Sequence, residues 1–240
     1  MEQFIFQVEN LTRDSDDNDV ITIKGEEHFH LSRVLRAKIG DKVLATDGKG
    51  MTCLCVIQQI EKDASTCGVV EEFREMNSSR RRFCIGMAVL KPISRLEFAI
   101  EKCTELGARN FLLFNTERSD KVNLRVERMA GVVRSAVKQS LQSIFPELAI
   151  VKNLEEVAAQ SHVYQEKFVL HEKSNRMVGE YLSRLNEETS VIALIGPEGG
   201  FSEKEIDFLI ARGFKSISVG KSRLRSETAA VKIASLLATY

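Results

Sequence analysis

Residues 191–206, VIALIGPEGGFSEKEI, constrain the fold of this chain more than any other stretch. The five consecutive apolar residues Val191–Ile195 have the length and character of a strand buried on both faces, the habit of parallel sheets. A Gly-Pro-Glu-Gly-Gly loop follows, and a helix starts at once. Ser202 and Glu205 have the spacing of a capping box, with Phe201 and Ile206 at the flanking staple positions. Strand, glycine loop and helix in direct succession belong to an α/β layer structure, and open α/β sheets bind ligands at the carboxyl ends of such strands. Gly196, Gly199 and Gly200 let the backbone approach a ligand and adopt positive φ, and they hold an acid, Glu198, among them.

The layout recurs along the second part of the chain. Phe83–Leu90, Phe111–Phe114, Phe168–Leu170 and Ser216–Val219 are further short apolar runs, separated by helical patterns. In 94–107, Leu96, Ile100, Cys103 and Leu106 share one face, and Gly107 sits where a C-cap belongs. Residues 218–232, SVGKSRLRSETAAVK, repeat the strand, loop and helix: a strand ends at Val219, the loop carries Arg223 and Arg225, and Ser226 suits the N-cap with Glu227 in the first turn. A cap alone explains Ser226 and Glu227; their place after another buried strand makes the segment a second ligand loop. The first part reads differently. Phe4, Phe6 and Val8 alternate, Val20–Ile23 is a β-branched run, and Val43–Thr46 and Met51–Ile57 flank the hairpin turn Asp47-Gly48-Lys49-Gly50. Glu26–Arg36 reads as one short helix. The pattern predicts a β-rich module over 1–72, a polar linker over 73–82 and an α/β domain over 83–240.

Composition excludes several classes. With 43% hydrophobic and 28% charged residues the chain is globular, and no apolar run nears the roughly 20 residues that span a bilayer. The N-terminus meets acids at once and lacks the cationic start of a signal peptide, so a cytoplasmic protein is expected. Cys53, Cys55, Cys67, Cys84 and Cys103 form no CxxC pair, which predicts buried free thiols and no metal site. Cys53 and Cys55, two apart on a strand, face one side of it. Neither G-x-G-x-x-G nor G-x-x-x-x-G-K-[ST] occurs, so nothing argues for NAD or ATP hydrolysis. The net charge is zero but unevenly spread. Residues 1–75 carry 9 Lys and Arg against 15 Asp and Glu, whereas residues 76–145 carry 13 against 6. Any solvated, salt-bridged surface could show such counts, though they also allow a basic face on a neutral molecule.

IGPEGGFSEKEI and LRSETAA, together with EKCTELGA at 101–108, closely resemble the SPOUT-class RNA methyltransferases, and within them the RsmE-type enzymes that methylate N3 of a uridine in 16S ribosomal RNA. The resemblance covers essentially the whole chain. It implies a PUA-like β-barrel followed by a SPOUT α/β domain with a parallel sheet and a C-terminal trefoil knot, S-adenosylmethionine as cofactor, and a homodimer acting on 16S rRNA, within the small ribosomal subunit. Two segments depart from the family's pattern. Where it carries R-I-L-R before x-E-T-A, this chain has Ser222-Arg223-Leu224-Arg225; where a Glu-Gln-Ser/Cys-x-Arg pattern is usual in the mid-domain helix, it has Lys138-Gln139-Ser140-Leu141-Gln142.

Carried onto this sequence, the resemblance implies a cofactor site of Leu170, His171, Ile195, Gly196, Pro197, Gly199, Gly200, Val219, Gly220, Leu224 and Thr228. The segment 28–36, HFHLSRVLR, resembles the family's H-x-x-x-V-L-R. His28, His30, Arg33, Arg36, Lys38 and Lys42 there gather hydrogen-bonding and cationic groups suited to positioning RNA through its phosphates; Arg80, Arg81 and Arg82 add to them. Either histidine could instead be a core or capping residue. Uridine N3 must lose a proton, so a cation near the uracil carbonyls is expected, with Arg225 the candidate, and Glu198 or Glu227 as proton acceptor, Glu198 being the better placed. Two alternatives stay open at this point: a non-catalytic RNA-binding or ribosome-assembly protein, and a SPOUT methyltransferase acting on another nucleotide.

Overall fold

The computed structural model describes residues 5–8, 20–119 and 124–239; residues 1–4, with Phe4 among them, 9–19, 120–123 and 240 lie outside them. Two compact units are present, one made of 1–78 with 137–145 and one of 79–136 with 146–240.

The first unit is built on a five-stranded sheet in the order β1-β3-β4-β5-β2. The strands are β1 (Ile5–Gln7), β2 (Val20–Lys24), β3 (Lys42–Thr46), β4 (Met51–Ile60) and β5 (Ala64–Arg74). β1 runs parallel to β3, and the other pairs are antiparallel. Irregularities in the β4–β5 register after Leu54 and Ile57 bend and twist the long pair, as bulges do. Phe6, Ile21, Ile23, Val43, Cys53, Cys55 and Cys67 make its core, so the two adjacent cysteines do share a face. Asp47 Oδ1 accepts from the amides of Lys49 and Met51 at 2.7 and 3.0 Å, the local chemistry that makes the predicted turn. Helix α1 (Gly25–Phe29) continues into a wider-wound turn over His30–Val34, seats Leu31 in the core and ends at Arg36, whose φ is 52°.

A feature the sequence pattern did not suggest is that residues 137–145 belong to this unit. Thr46 Oγ1 and the Gly50 amide donate to Ser143 O at 3.2 and 3.1 Å, and Phe145 N donates to Gly48 O at 2.9 Å. Lys138 pairs with Glu27. Leu141, at φ 53°, ends the helix before Gln142, which is buried.

The second unit carries a six-stranded sheet, parallel throughout, in the order β11-β9-β10-β6-β7-β8. Its elements are β6 (Phe83–Ala88), α2 (Ile93–Glu105), β7 (Asn110–Phe114), α3 (Val126–Ser140), β8 (Glu147–Ile150), α4 (Leu154–Gln160), β9 (Glu166–Leu170), α5 (Val178–Leu182), β10 (Val191–Ile195), α6 (Glu203–Ile210), β11 (Lys215–Ile217) and α7 (Ser226–Thr239); the end of α3 falls in the first unit. Every residue of β10 is buried, as its unbroken apolar run requires of a central parallel strand. α7 packs on α2, β6 and β10. The apolar runs each became a strand. β11 ends two residues earlier than its run, so that Ser218 and Val219 already belong to the loop after it.

Candidate active site

Loops after three neighbouring strands, β9, β10 and β11, wall a cleft of about 1050 Å³, at the upper end of the roughly 300–1,000 Å³ usual for small-molecule sites. Its apolar side is made by Leu170, Ile195, Ile217, Val219 and Leu224. The loop after β10 is held from both ends. Ser202 Oγ accepts from Glu205 N at 3.2 Å while Glu205 Oε2 accepts from Ser202 N at 2.8 Å, the reciprocal capping box expected from the sequence. Glu205 Oε1 also takes the Glu117 amide at 2.9 Å, which fixes the loop after β7. From that loop Arg118 Nη1 donates to Gly199 O at 2.8 Å. Phe201 stacks on Phe114.

The glycines do different work from one another. Only Gly200 takes a positive φ, 66°, so the expectation of positive φ fails at Gly196 and Gly199. Gly196 is needed for closeness instead: a Cβ there would stand 3.1 Å from Phe201 N and 3.1 Å from its ring, tighter than side chains normally pack. At Gly199 a Cβ would meet Arg118 Cδ at 3.4 Å, an ordinary contact.

Of the expected cofactor residues, Leu170, His171, Ile195, Gly196, Pro197, Gly199, Gly200, Val219, Gly220 and Leu224 all line the cleft. Thr228 does not; it lies exposed on the first turn of α7. Arg225 lines the cleft, and its carbonyl accepts from Ala229 N at 2.8 Å. Arg225 therefore caps α7, and Ser226 is that helix's first residue rather than its cap. Its guanidinium has no ion pair among the described residues. Glu198 lines the cleft, accepts the Lys91 amide at 3.0 Å and has Arg95 Nη1 at 3.8 Å.

Glu227 behaves differently. It is only 8% exposed and does not line the cleft; its Oε1 lies 3.8 Å from Arg95 Nε, and its Oε2 is buried without a hydrogen-bond partner. Arg95 thus stands between two carboxylates at the cleft wall. Reading the sequence did not single it out, because the periodicity of α2 drew attention to the buried face beside it. Arg118 and Glu117 were missed likewise; the available signal was their place just after the apolar run Phe111–Phe114.

The groups expected to meet RNA divide sharply. Arg33, Arg36, Lys38, Lys42, Arg80 and Arg82 are exposed, and Arg80 pairs with Glu187 at 2.9 Å. Arg81 is a correction. It is 1% exposed, with Nη1 donating to the carbonyls of Asn186 at 2.7 Å and Thr189 at 3.2 Å, and burial pulls its pKa down; it is structural. His28 is a second correction, buried with Nδ1 3.0 Å from Ser65 Oγ and Nε2 3.2 Å from Lys62 O. His30 is half-buried, edge-on to Phe6.

Against this geometry the similarities are decisive. Residues 77–238 match the RNA methyltransferase domain family and residues 23–70 the RNA methyltransferase PUA domain family. The chain belongs to the RNA methyltransferase family. The match covers every cleft residue named above. A protein called ribosomal RNA small subunit methyltransferase E from Bacillus subtilis (strain 168) is 29% identical, over 87% of this chain and 85% of its own. Its namesake in Synechocystis sp. (strain PCC 6803) is 30% identical, over 87% and 69%. In structure, the methyltransferase unit and the β-rich unit before it are similar to ribosomal RNA small subunit methyltransferase E from Neisseria gonorrhoeae, which was solved bound to S-adenosyl methionine. The TM-score is 0.84 at 22% identity, over 97% of this chain and 95% of that one.

Proposed function

We propose that this methyltransferase uses S-adenosylmethionine to methylate N3 of a specific uridine in 16S rRNA of the small ribosomal subunit, in the cytoplasm. One observation carries the reading: the loops after β10 and β11, which hold two of the family's sequence motifs, form a single cleft with the loop after β9, lined by apolar side chains and by the glycine turn. The fit to the cofactor rests on that shape. Leu170, Ile195 and Val219 offer apolar lining for a purine, and the space at Gly196 that a Cβ would fill brings main-chain groups to the ligand. When bound, S-adenosylmethionine supplies an electrophilic methyl group on its sulfonium centre.

The chain's own residues then have three tasks. Arg225, exposed and unpaired at the cleft, stabilises the negative charge that grows on the uracil carbonyls as N3 loses its proton. Glu198, which reaches the cleft while Glu227 does not, takes that proton directly or through one water. Glu227 acts through Arg95, holding it beside Glu198. The exposed cations Arg33, Arg36, Lys38, Arg80 and Arg82 position the RNA by its phosphates. The same reading threads the chain's end into a trefoil knot and pairs two copies. The knot is supported by the shared cleft of the β10 and β11 loops and by α7, which leaves edge strand β11 to pack on β6 and β10. Mapping modified uridines in 16S rRNA from cells with and without the protein is the test. Loss of a single N3-methyluridine is expected, and an unchanged pattern overturns the proposal.

A further inference from the structure

A smaller hollow of about 410 Å³ opens in the same unit at the carboxyl ends of β7 and β8. Glu117 and Lys204 line both it and the cleft, so the two adjoin. Asn115, the residue after β7, lines the hollow, and its Oδ1 is buried without a hydrogen-bond partner. A buried polar atom left this way costs stability unless something donates to it, and most such atoms are satisfied. Lys152, after β8, and Lys204, on the first turn of α6, are exposed, and neither ammonium has an ion pair among the described residues. Phe208 adds an apolar side. Of the three acids at the rim, Glu205 has both oxygens committed to backbone amides, while Glu117 and Glu155 are exposed and turn to solvent beside the two lysines.

We propose that this hollow receives the RNA nucleotide adjoining the one being methylated; the proposal rests on RNA being the substrate. A base that enters the cleft has left its stack, and its neighbour is drawn to the adjoining surface. Proteins read such splayed nucleotides through base-edge hydrogen bonds and hold their phosphates with cations. Asn115 supplies the amide that reads the edge: its side chain turns on binding, and the unmatched oxygen leaves its buried position to accept from a ring or exocyclic N–H of the base. Lys152 and Lys204 hold the phosphates on either side. Adjacency to the cleft favours RNA over a protein segment here, since a strand whose base enters the cleft passes close by.

All five cysteines are buried, so Lys152→Cys offers one reactive thiol for a photo-cross-linker. With small ribosomal subunits from cells lacking the protein, irradiation joins position 152 to the nucleotide next to the methylated uridine. A cross-link elsewhere in the rRNA, a cross-link to a ribosomal protein, or none, overturns the proposal. In single-turnover assays on the same particles, Lys152→Ala and Asn115→Leu each raise the particle concentration for half-maximal rate roughly tenfold, leaving the saturating rate and S-adenosylmethionine affinity unchanged. Lys152→Ala also lowers the slope of log affinity against log salt by about one unit. Because Lys152 is exposed, its variant tests the idea even if Asn115→Leu fails to fold, and an unchanged half-maximal concentration refutes it. A wild-type protein that methylates nothing on these particles refutes the substrate reading instead, while the cross-link still reports whether RNA lies in the hollow.

Discussion

Glu205 offers a sharp test of how the cleft is held. Its two carboxylate oxygens accept from Ser202 N at 2.8 Å and from Glu117 N at 2.9 Å, and the residue is buried. A hydrogen bond to a charged group contributes about 1.5–3 kcal/mol net. Glu205→Ala removes two such bonds, but the space left admits water to one or both amides, so a loss of about 3 kcal/mol is expected. Spread over a unit of this size, that lowers the melting temperature by roughly 6–12 °C. Glu205→Gln keeps one oxygen and turns an amide donor towards the other N–H, and it should fall between wild type and Glu205→Ala. The effect should also reach the ligand. Glu117 precedes Arg118, which holds Gly199 O at 2.8 Å, so loosening that loop releases the glycine turn and weakens S-adenosylmethionine binding. Urea unfolding followed by circular dichroism, with calorimetry of the folded variants, measures both quantities. A loss below about 1 kcal/mol, or the expected loss of about 3 kcal/mol with unchanged cofactor affinity, refutes the reasoning.

Gly196→Val should abolish cofactor binding in a protein that still folds, read by calorimetry and circular dichroism, because its Cβ would crowd Phe201 at 3.1 Å. Arg225→Ala should slow single-turnover methylation roughly 100-fold with little change in RNA affinity; Arg33→Ala with Arg36→Ala should do the reverse, weakening filter-measured RNA binding and its salt dependence. Arg81→Ala should destabilise the protein in urea by about 2–4 kcal/mol, since it leaves buried carbonyls unmatched, whereas Arg82→Ala should barely register. Burial pushes the thiols of Cys55 and Cys84 up to about 12 and Cys67 up to about 11, so at pH 8 they remain protonated and should react with a disulfide reagent only after unfolding.

What the sequence made legible was local chemistry. The capping box at Ser202 and Glu205, the turn at Asp47-Gly48 and the C-cap at Gly107, with φ 89°, each depend on residues a few positions apart, and each formed as read. β10 was plain because a strand buried on both faces needs an unbroken apolar run. β8 was not picked out although 148–151 is a short apolar run: Glu147–Ile150 is a partly exposed edge strand, and its run lacks the full burial that made β10 plain. Arg81 and His28 went astray because an arginine in a basic triplet and a histidine beside cations look alike whether solvated or buried. Their burial is decided by carbonyls far along the chain, at Asn186, Thr189 and Lys62. Arg95 was hidden by its own helix, whose apolar stripe is the louder signal.

The return of residues 137–145 to the first unit bears on how this gene can be cut. No single break in the coding sequence yields both units whole: a fragment ending near Ser78 lacks the strip whose Ser143 carbonyl accepts from Thr46 and Gly50, and the complementary fragment carries that strip with nothing to receive it. The hairpin tip at Gly48 and Gly50 would then exchange its main-chain partners at Ser143 and Phe145 for water. A faithful minimal version of the β-rich unit is therefore a spliced one, joining 1–78 to 137–145 through a short artificial bridge. An insertion or permutation that interrupts 137–145 should register first as a fault in the part of the protein that is more than 50 residues upstream of it.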